Sequence, residues 1–432
     1  MLILHLSDIH FHYPACTSDI DPDKPFRTRL FQDAREHARA DKLGPIDAIL
    51  VGGDIAYAGK PEEYAEALKW LYELADACGC KRERIYVIPG NHDIDRQIII
   101  DDLSVQNAQQ AIIRATDKER ELVRQLRHKD TGPALLAPLT TYNDFSGRFL
   151  GEVFAPEKLF WHADMPFADG VQLRIYGLTS TILSGAGAPS GRNDEPRDLY
   201  LSPLQTVLDP VDNVVNLVMC HHPPDWLMDG DKAADDIKGR ASIHLFGHKH
   251  RQRIDRDRSY VTFFAGAVNP DRQEKDWRPG YNIIRLTLGQ DTRGIAQLEV
   301  EAHLLEWQTS PEMFKPILDD DHERSSVHRA VVRLRNIRLP APTAVAHATA
   351  TVAMQRVDAE AAMGEERARN IVLRFWDLTM SDRREISQKL KLLEPDEMNL
   401  PQAERYGRAL LRAGQRNLLD ELTGEIEKRE KR

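Results

Sequence analysis

The chain opens on a short apolar run, residues 2–6, that stops at Ser7-Asp8. A run of this length bounded by polar residues predicts a buried strand. Residues 26–40 read as a helix, 48–51 as a second strand and 62–77 as a second helix, with Tyr64, Ala67, Leu68, Leu71 and Leu74 on one face. A third strand is predicted over 85–88, and strand, helix, strand, helix, strand predicts an α/β sandwich. Residues 97–128 then follow a helical, polar pattern rich in Gln, Arg and Glu, which marks a helical insertion. Strand patterns return at 173–178, 214–219, 243–246, 261–264, 281–288 and 297–305. The last two alternate apolar and polar positions, as an antiparallel edge does.

The pattern changes again near residue 339. Residues 339–350 are uncharged and rich in Pro, Ala and Thr, which predicts a linker. Four short amphipathic helices are expected beyond it. Ile371, Phe375 and Leu378 mark the first, and Ile386, Leu390 and Leu393 the second, with Ser381 as its candidate N-cap. Ala403, Tyr406 and Leu410 mark the third, opened by Pro401 and closed by Gly414; Leu419, Leu422 and Ile426 mark the fourth. Each helix has one apolar stripe, so together they predict a small all-α bundle.

Charge sharpens this division. From Asp321 onward there are 21 Lys and Arg against 18 Asp and Glu, a balance of +3, while the first 320 residues carry −13. An acidic part rich in Asp and His is a poor general surface for nucleic acid and a good source of metal ligands. No apolar run approaches the ~18 residues of a membrane span. The apolar start is too short for a signal peptide and lacks its basic beginning. Four cysteines, Cys16, Cys78, Cys80 and Cys220, make no disulfide framework, so a reducing cytoplasm is the expected compartment.

Metal-capable side chains gather where predicted strands end. In order they are Asp8-Ile9-His10, Gly53-Asp54, Gly90-Asn91-His92-Asp93, Cys220-His221-His222-Pro223 and Gly247-His248-Lys249-His250. Ligands of open α/β sheets bind at strand ends. Asp, Asn and His donors suit Mn, Fe, Zn or Ni, and this many donors point to two metals sharing a carboxylate. The five blocks and their order resemble the calcineurin-like metallophosphoesterase superfamily, and the likeness runs to about residue 307. The resemblance implies a four-layer α/β/β/α sandwich. It implies that Asp8, His10 and His250 hold one metal, that Asn91, His221 and His248 hold the other, and that Asp54 bridges them. His92 would face the substrate as general acid, with Asp93 orienting it. Two close cations clamp a phosphoryl group and make hydroxide available near neutral pH, and an acid assists the leaving oxygen.

Residues from about 365 resemble a second family, the bacterial effector-associated death-like adaptor domains, through Phe375-Trp376-Asp377-Leu378, Arg383-Arg384-Glu385-Ile386 and Tyr406-Gly-Arg-Ala-Leu410. The expected division is then a dimetal phosphoesterase domain over 1–320 with an insertion at ~97–150, a connecting segment over 321–360 and a helical adaptor-like domain over 361–432. The expected enzyme is a phosphoester hydrolase using two divalent transition metals, manganese first, with iron, zinc or nickel as alternatives. Its expected substrate is a phosphodiester in a nucleotide or nucleic acid, and the C-terminal helices recruit a protein partner, as in bacterial defence systems, or make an oligomer. The alternatives are a DNA-repair-type nuclease and a phosphoprotein phosphatase. His5 is expected in the core, His12 beside the site, His222 behind the ligands or facing substrate, and Cys220 in packing. Lys249, Arg251, Arg253, Arg256 and Arg258 form either a charged hairpin edge or a rim that attracts phosphates.

Overall fold

The computed structural model describes residues 1–155, 158–168, 170–270, 278–320, 324–339 and 350–431, the side chains of 350–363 excepted. The first half of the fold follows the apolar pattern. Strand β1 (Leu2–Leu6), helix α1 (Lys24–His37), strand β2 (Ala48–Val51), helix α2 (Pro61–Ala77) and strand β3 (Ile85–Val87) form two parallel crossovers. The insertion supplies α3 (Arg96–Asp101), α4 (Leu103–Arg114), α5 (Lys118–Arg127), α6 (Thr131–Leu136) and α7 (Thr140–Ser146). A second sheet follows from β4 (Trp161–Ala168), β5 (Val171–Gly177), β6 (Val214–Cys220), helix α8 (Gly230–Arg240), β7 (Ile243–Phe246), β8 (Arg253–Arg256) and β9 (Val261–Phe264), in the order β4-β5-β6-β7-β9-β8. The chain then returns to the first sheet with β10 (Gly280–Gln290), β11 (Ala296–Thr309), β12 (Glu312–Pro316) and β13 (His328–Arg333), giving β12-β11-β10-β1-β2-β3 with β13 also on β11. Residues 328–333, expected within a connecting segment, therefore belong to the sheet.

Side-chain alternation explains why the two sheets stack. In β1, Ile3 points into the layer between the sheets, while Leu2, Leu4 and Leu6 point toward the helices. In β6, Val215, Leu217 and Met219 fill the inter-sheet layer, and Val218 and Cys220 pack on the far side with Ile237 of α8. Both faces of both sheets are thus covered, which yields the expected order of four layers, helix on sheet on sheet on helix. The insertion is no free arm. Ile99, Val105, Ile112, Leu135, Tyr142 and Phe145 join the core that α1 and α2 make with the first sheet.

The tail forms α9 (Ala350–Asp377), α10 (Met380–Lys389), α11 (Gln402–Gln415) and α12 (Leu419–Glu430) around Phe375, Trp376, Ile386, Tyr406, Leu422 and Ile426. Helix α9 reaches further back than the apolar marks suggest and begins at the end of the expected linker; residues 340–349 of that linker lie outside the described residues. The N-cap of α10 is Thr379, whose hydroxyl accepts from the Asp382 N–H, not Ser381, which lies inside the helix. Helix α11 runs through Gly414, and the chain turns at Asn417, with φ of 55°.

The bundle is seated on the two-sheet sandwich through α9. Arg369 is buried and donates to the carbonyls of Glu83, Ile85 and Phe149 at 2.6, 2.9 and 3.0 Å, with its guanidinium over the Tyr86 ring. Glu365 accepts from the Asp164 N–H, and Glu366 pairs with Lys81 and Arg84. Trp376 lies so close to Gly147 that a β-carbon there would sit 2.9 Å from the indole.

Candidate metal centre

Every block singled out in the sequence emerges at the C-terminal end of a parallel strand. Asp8 and His10 follow β1, Asp54 follows β2, and Asn91 to Asp93 follow β3; His221 and His222 follow β6, and His248 and His250 follow β7. The backbone must turn sharply to aim these side chains back over the strand ends. Asp8, His10, Asp54, His248 and His250 all have φ between 51° and 68°, the left-handed region. Such strain persists where surrounding structure over-determines it, and it gathers at functional sites. Two glycines make room. At Gly53, φ is 99°, and a β-carbon would lie 2.6 Å from the His221 ring; at Gly90 one would lie 2.2 Å from Asp54 Oδ1.

The donor atoms converge as two sets that meet at Asp54. In the first, His250 Nε2 lies 3.2 Å from Asp8 Oδ1, and His10 Nε2 lies 3.3 Å from Asp54 Oδ2. In the second, His221 Nε2 lies 3.3 Å from the same Asp54 oxygen and 3.2 Å from Asn91 Oδ1. His248 Nδ1 and His222 Nε2 approach that amide oxygen at 2.9 and 3.1 Å. Donor atoms of Asp8, His10 and His250 lie within 4.8 Å of one another, as do those of Asp8, Asp54 and His221. Carboxylate, amide and imidazole lone pairs collected this closely fit two borderline divalent cations. Two of the candidate ligand imidazoles are oriented from behind: His10 Nδ1 by the Asn269 carbonyl at 3.0 Å and His221 Nδ1 by the Gly52 carbonyl at 2.8 Å.

His222 belongs to this cluster more closely than its position in the motif suggests. It is fully buried, its Nδ1 is held by Ser180 Oγ at 2.8 Å, and its Nε2 lies with His221 and His248 as a potential ligand set. Ser180 stands in no motif, so only the folded chain reveals it.

Burial and charge act together here. Burial opposes ionisation of Asp8 and Asp54, yet His250 beside Asp8 and His221 beside Asp54 hold both carboxyls below their usual range. Burial also disfavours a charged His221, but Asp54 and Asp8 outweigh it and raise the ring to about 9. Burial, reinforced by His221, pushes His248 down to about 3. The centre is an ionised carboxylate pair among imidazoles, a donor set suited to a divalent cation.

His92 and Asp93 part company. The His92 ring stands 4.8 Å from that of His10, and its Nδ1 meets the Tyr57 carbonyl at 2.7 Å. Asp93, expected to orient His92, instead accepts from the N–H groups of Ile55, Ala56 and Gly90 and from the Tyr64 hydroxyl. It braces the loops after β2 and β3, and Tyr57 does the orienting. The Tyr57 ring, 40% exposed, lies 5.0 Å from His92 and 4.2 Å from His12. Across the centre, Trp226 meets the His248 ring edge-on at 3.9 Å. His5 is buried and bonded to Asn282 in the core, and burial pushes the Cys220 thiol up to about 12, as packing roles require.

A centre of this build, on a four-layer sandwich, defines a metallophosphoesterase. Residues 1–252 match the calcineurin-like phosphoesterase family, and the chain belongs to it. Residues 367–428 match the GTPase-associated adaptor domain, so the tail is an adaptor-like module. No curated protein matches the chain. Similar solved structures include Vps29 of Entamoeba histolytica complexed with zinc, at 9% identity over 77% of this chain and 99% of that one, TM-score 0.29. Vps29 of Chaetomium thermophilum is 10% identical over 77% and 98%, TM-score 0.29, and a predicted phosphoesterase of Streptococcus pneumoniae is 10% identical over 73% and 92%, TM-score 0.27. No helix among the described residues is long and apolar enough to cross a membrane.

Proposed function

We propose that the chain is a dimetal phosphodiesterase acting on a nucleotide or nucleic acid, with a tail that recruits a protein partner. The observation that carries the diester assignment is the flanking of the centre by two aromatic side chains, Tyr57 beside His92 and Trp226 beside His248, which supply apolar surface for the groups on either side of a bridging phosphate. Asp8, His10, Asp54 and His250 would hold one cation, and Asp54, Asn91, His221 and His248 the other, with His222 beside them. When bound, the pair supplies Lewis-acid polarisation of the phosphoryl group and an activated water. His92 has a ring nitrogen within 4.8 Å of donor atoms of His10 and Asp54, but as the resemblance implies it stays off the metals and holds or gives a proton at the leaving oxygen, positioned by the Tyr57 carbonyl. Burial pushes the free His92 ring down to about 4, and an arriving phosphate anion favours its protonated form.

For the tail, the name of the matched adaptor family points to a GTPase as the partner class. Manganese is the first metal to supply.

A substrate panel with manganese tests the assignment: an aryl phosphodiester, an aryl monoester, cyclic nucleotides, single- and double-stranded DNA and RNA, and a phosphopeptide. Preference for diesters is the expected result. Preference for the monoester or phosphopeptide would overturn it in favour of a phosphatase, and preference for DNA would narrow it to a nuclease.

A further inference from the structure

The basic run near the metal centre divides in the structure. Lys249 pairs with Asp225, and Arg256 pairs with Asp319 at 2.7 Å. Arg258 stands elsewhere: its carbonyl accepts from the Arg333 N–H at the opposite end of the second sheet from the metal ligands. There, near the start of β6 and β7, lies a cavity of about 460 Å³. Lys238 and Arg240 line it from α8, Arg333 and Arg335 from the end of β13, and no carboxylate is among its lining residues. Arg240 commits part of its guanidinium to Asp236 at 3.1 Å. The side chains of Arg333 and Arg335 have no ion pair among the described residues. Arg333 and Arg335, with Arg240 and Lys238 beside them, focus positive potential at this concavity, although Lys238 also reaches over the Tyr260 ring.

A second observation is independent of charge. Asn216 lines the same cavity and is 6% exposed. Its Nδ2 donates to the Arg240 and Asp209 carbonyls, but its Oδ1 is buried without a partner. Buried acceptors are seldom left unmet. The acceptor is closed off from the cavity as the wall stands, so a ligand suited to this site carries an anion for the arginines and, separately, an N–H or O–H that draws the Asn216 carboxamide out. Leu208, Pro210 and Val214 add apolar wall for a flat ring. The volume falls within the ~300–1,000 Å³ of small-molecule sites and leaves most of its space empty around a lone phosphate.

We propose that this cavity binds a mononucleotide, its phosphate on Arg333, Arg335, Lys238 and Arg240 and its base or sugar on Asn216 Oδ1. Asn216 lies in β6 and His221 directly follows that strand, roughly 16 Å away at ~3.3 Å per residue, so the ligand acts as an effector and not as the substrate under attack.

Equilibrium dialysis of the metal-loaded full-length chain with the phosphonate analogue of AMP, whose P–C bond resists hydrolysis, tests this. The exposed pair Arg333→Glu/Arg335→Glu should bind one equivalent fewer than the parent chain, with kcat and KM on an aryl phosphodiester unchanged. Equal binding by both proteins, or none by either, would overturn the site. Inorganic phosphate competing as tightly as the analogue would overturn the nucleotide assignment, and so would an RNA oligomer displacing the analogue at lower concentration. A rise in KM in the double variant would show that the cavity belongs to the substrate path and would overturn its effector role.

Discussion

The metal centre and the seat of the tail sit on the same two sheets and are built on opposite terms. At the centre, five candidate ligand residues hold left-handed backbone, and Asp54 meets imidazole from both sides. At the seat, an ordinary helix lays one arginine into three carbonyls and one indole over a glycine. The centre collects carboxylate, amide and imidazole donors that suit a cation. The seat meets Nε and Nη2 of Arg369 with three carbonyls and lays the guanidinium over an aromatic face. Damage to the first should therefore be read in metal content and turnover, and damage to the second in stability.

Asp54→Asn is expected to separate the regions most. The carboxylate shared by both ligand sets is lost, so elemental analysis should show less of both metals, and activity should fall by more than the ~10²–10⁴-fold of a missing acid. One full equivalent of metal on the variant would mean that Asp54 does not bridge. His92→Ala should keep both metals and slow turnover by ~10²–10⁴-fold, most for poor leaving groups. Loss of metal would place His92 among the ligands.

Ser180→Ala probes the side of the centre that the motifs left open. Releasing His222 Nδ1 should weaken metal affinity ~10–100-fold, as removal of an orienting partner does, if His222 is a ligand. Unchanged affinity in a metal titration would place His222 outside the ligand set. Arg369→Ala should have the smallest effect on turnover of a small aryl diester, leaving it near that of the parent. Its cost appears in urea unfolding, on the order of 3 kcal/mol, because three carbonyls lose a charged donor. A large drop in turnover with metal retained would show that the seat and the centre are one functional unit.

Much of this contrast is legible before folding, and the remainder has physical reasons for being hidden. Strands β1, β2, β6, β7 and β9 are apolar on both faces, and periodicity finds them readily. Strand β8 reads Arg-Ile-Asp-Arg and shows only as the charged hairpin edge offered for 249–258, and α8 buries only Ala233 and Ile237, so it has little apolar pattern to find. Strand β13 is an edge that alternates over six residues next to charged neighbours. At the centre, the seven expected ligands come together because motif order encodes strand order. What orients His92 is a backbone carbonyl, and carbonyls have no letter in a sequence. Asp93 misleads for the reverse reason: adjacency to His92 suggests a partner, but neighbouring residues in a sharp turn point to different sides.

The left-handed turns carry a consequence for how such a centre changes over evolutionary time. Outside glycine, the residues best tolerated at positive φ are Asn, Asp and His. These are also the residues that offer hard and borderline donors to divalent cations. At positions 8, 10, 54, 248 and 250, the set of side chains the backbone accepts and the set a metal accepts are nearly the same. A lineage can therefore exchange one for another at these positions without rebuilding the loops, moving its metal preference in single steps while the sandwich beneath stays fixed.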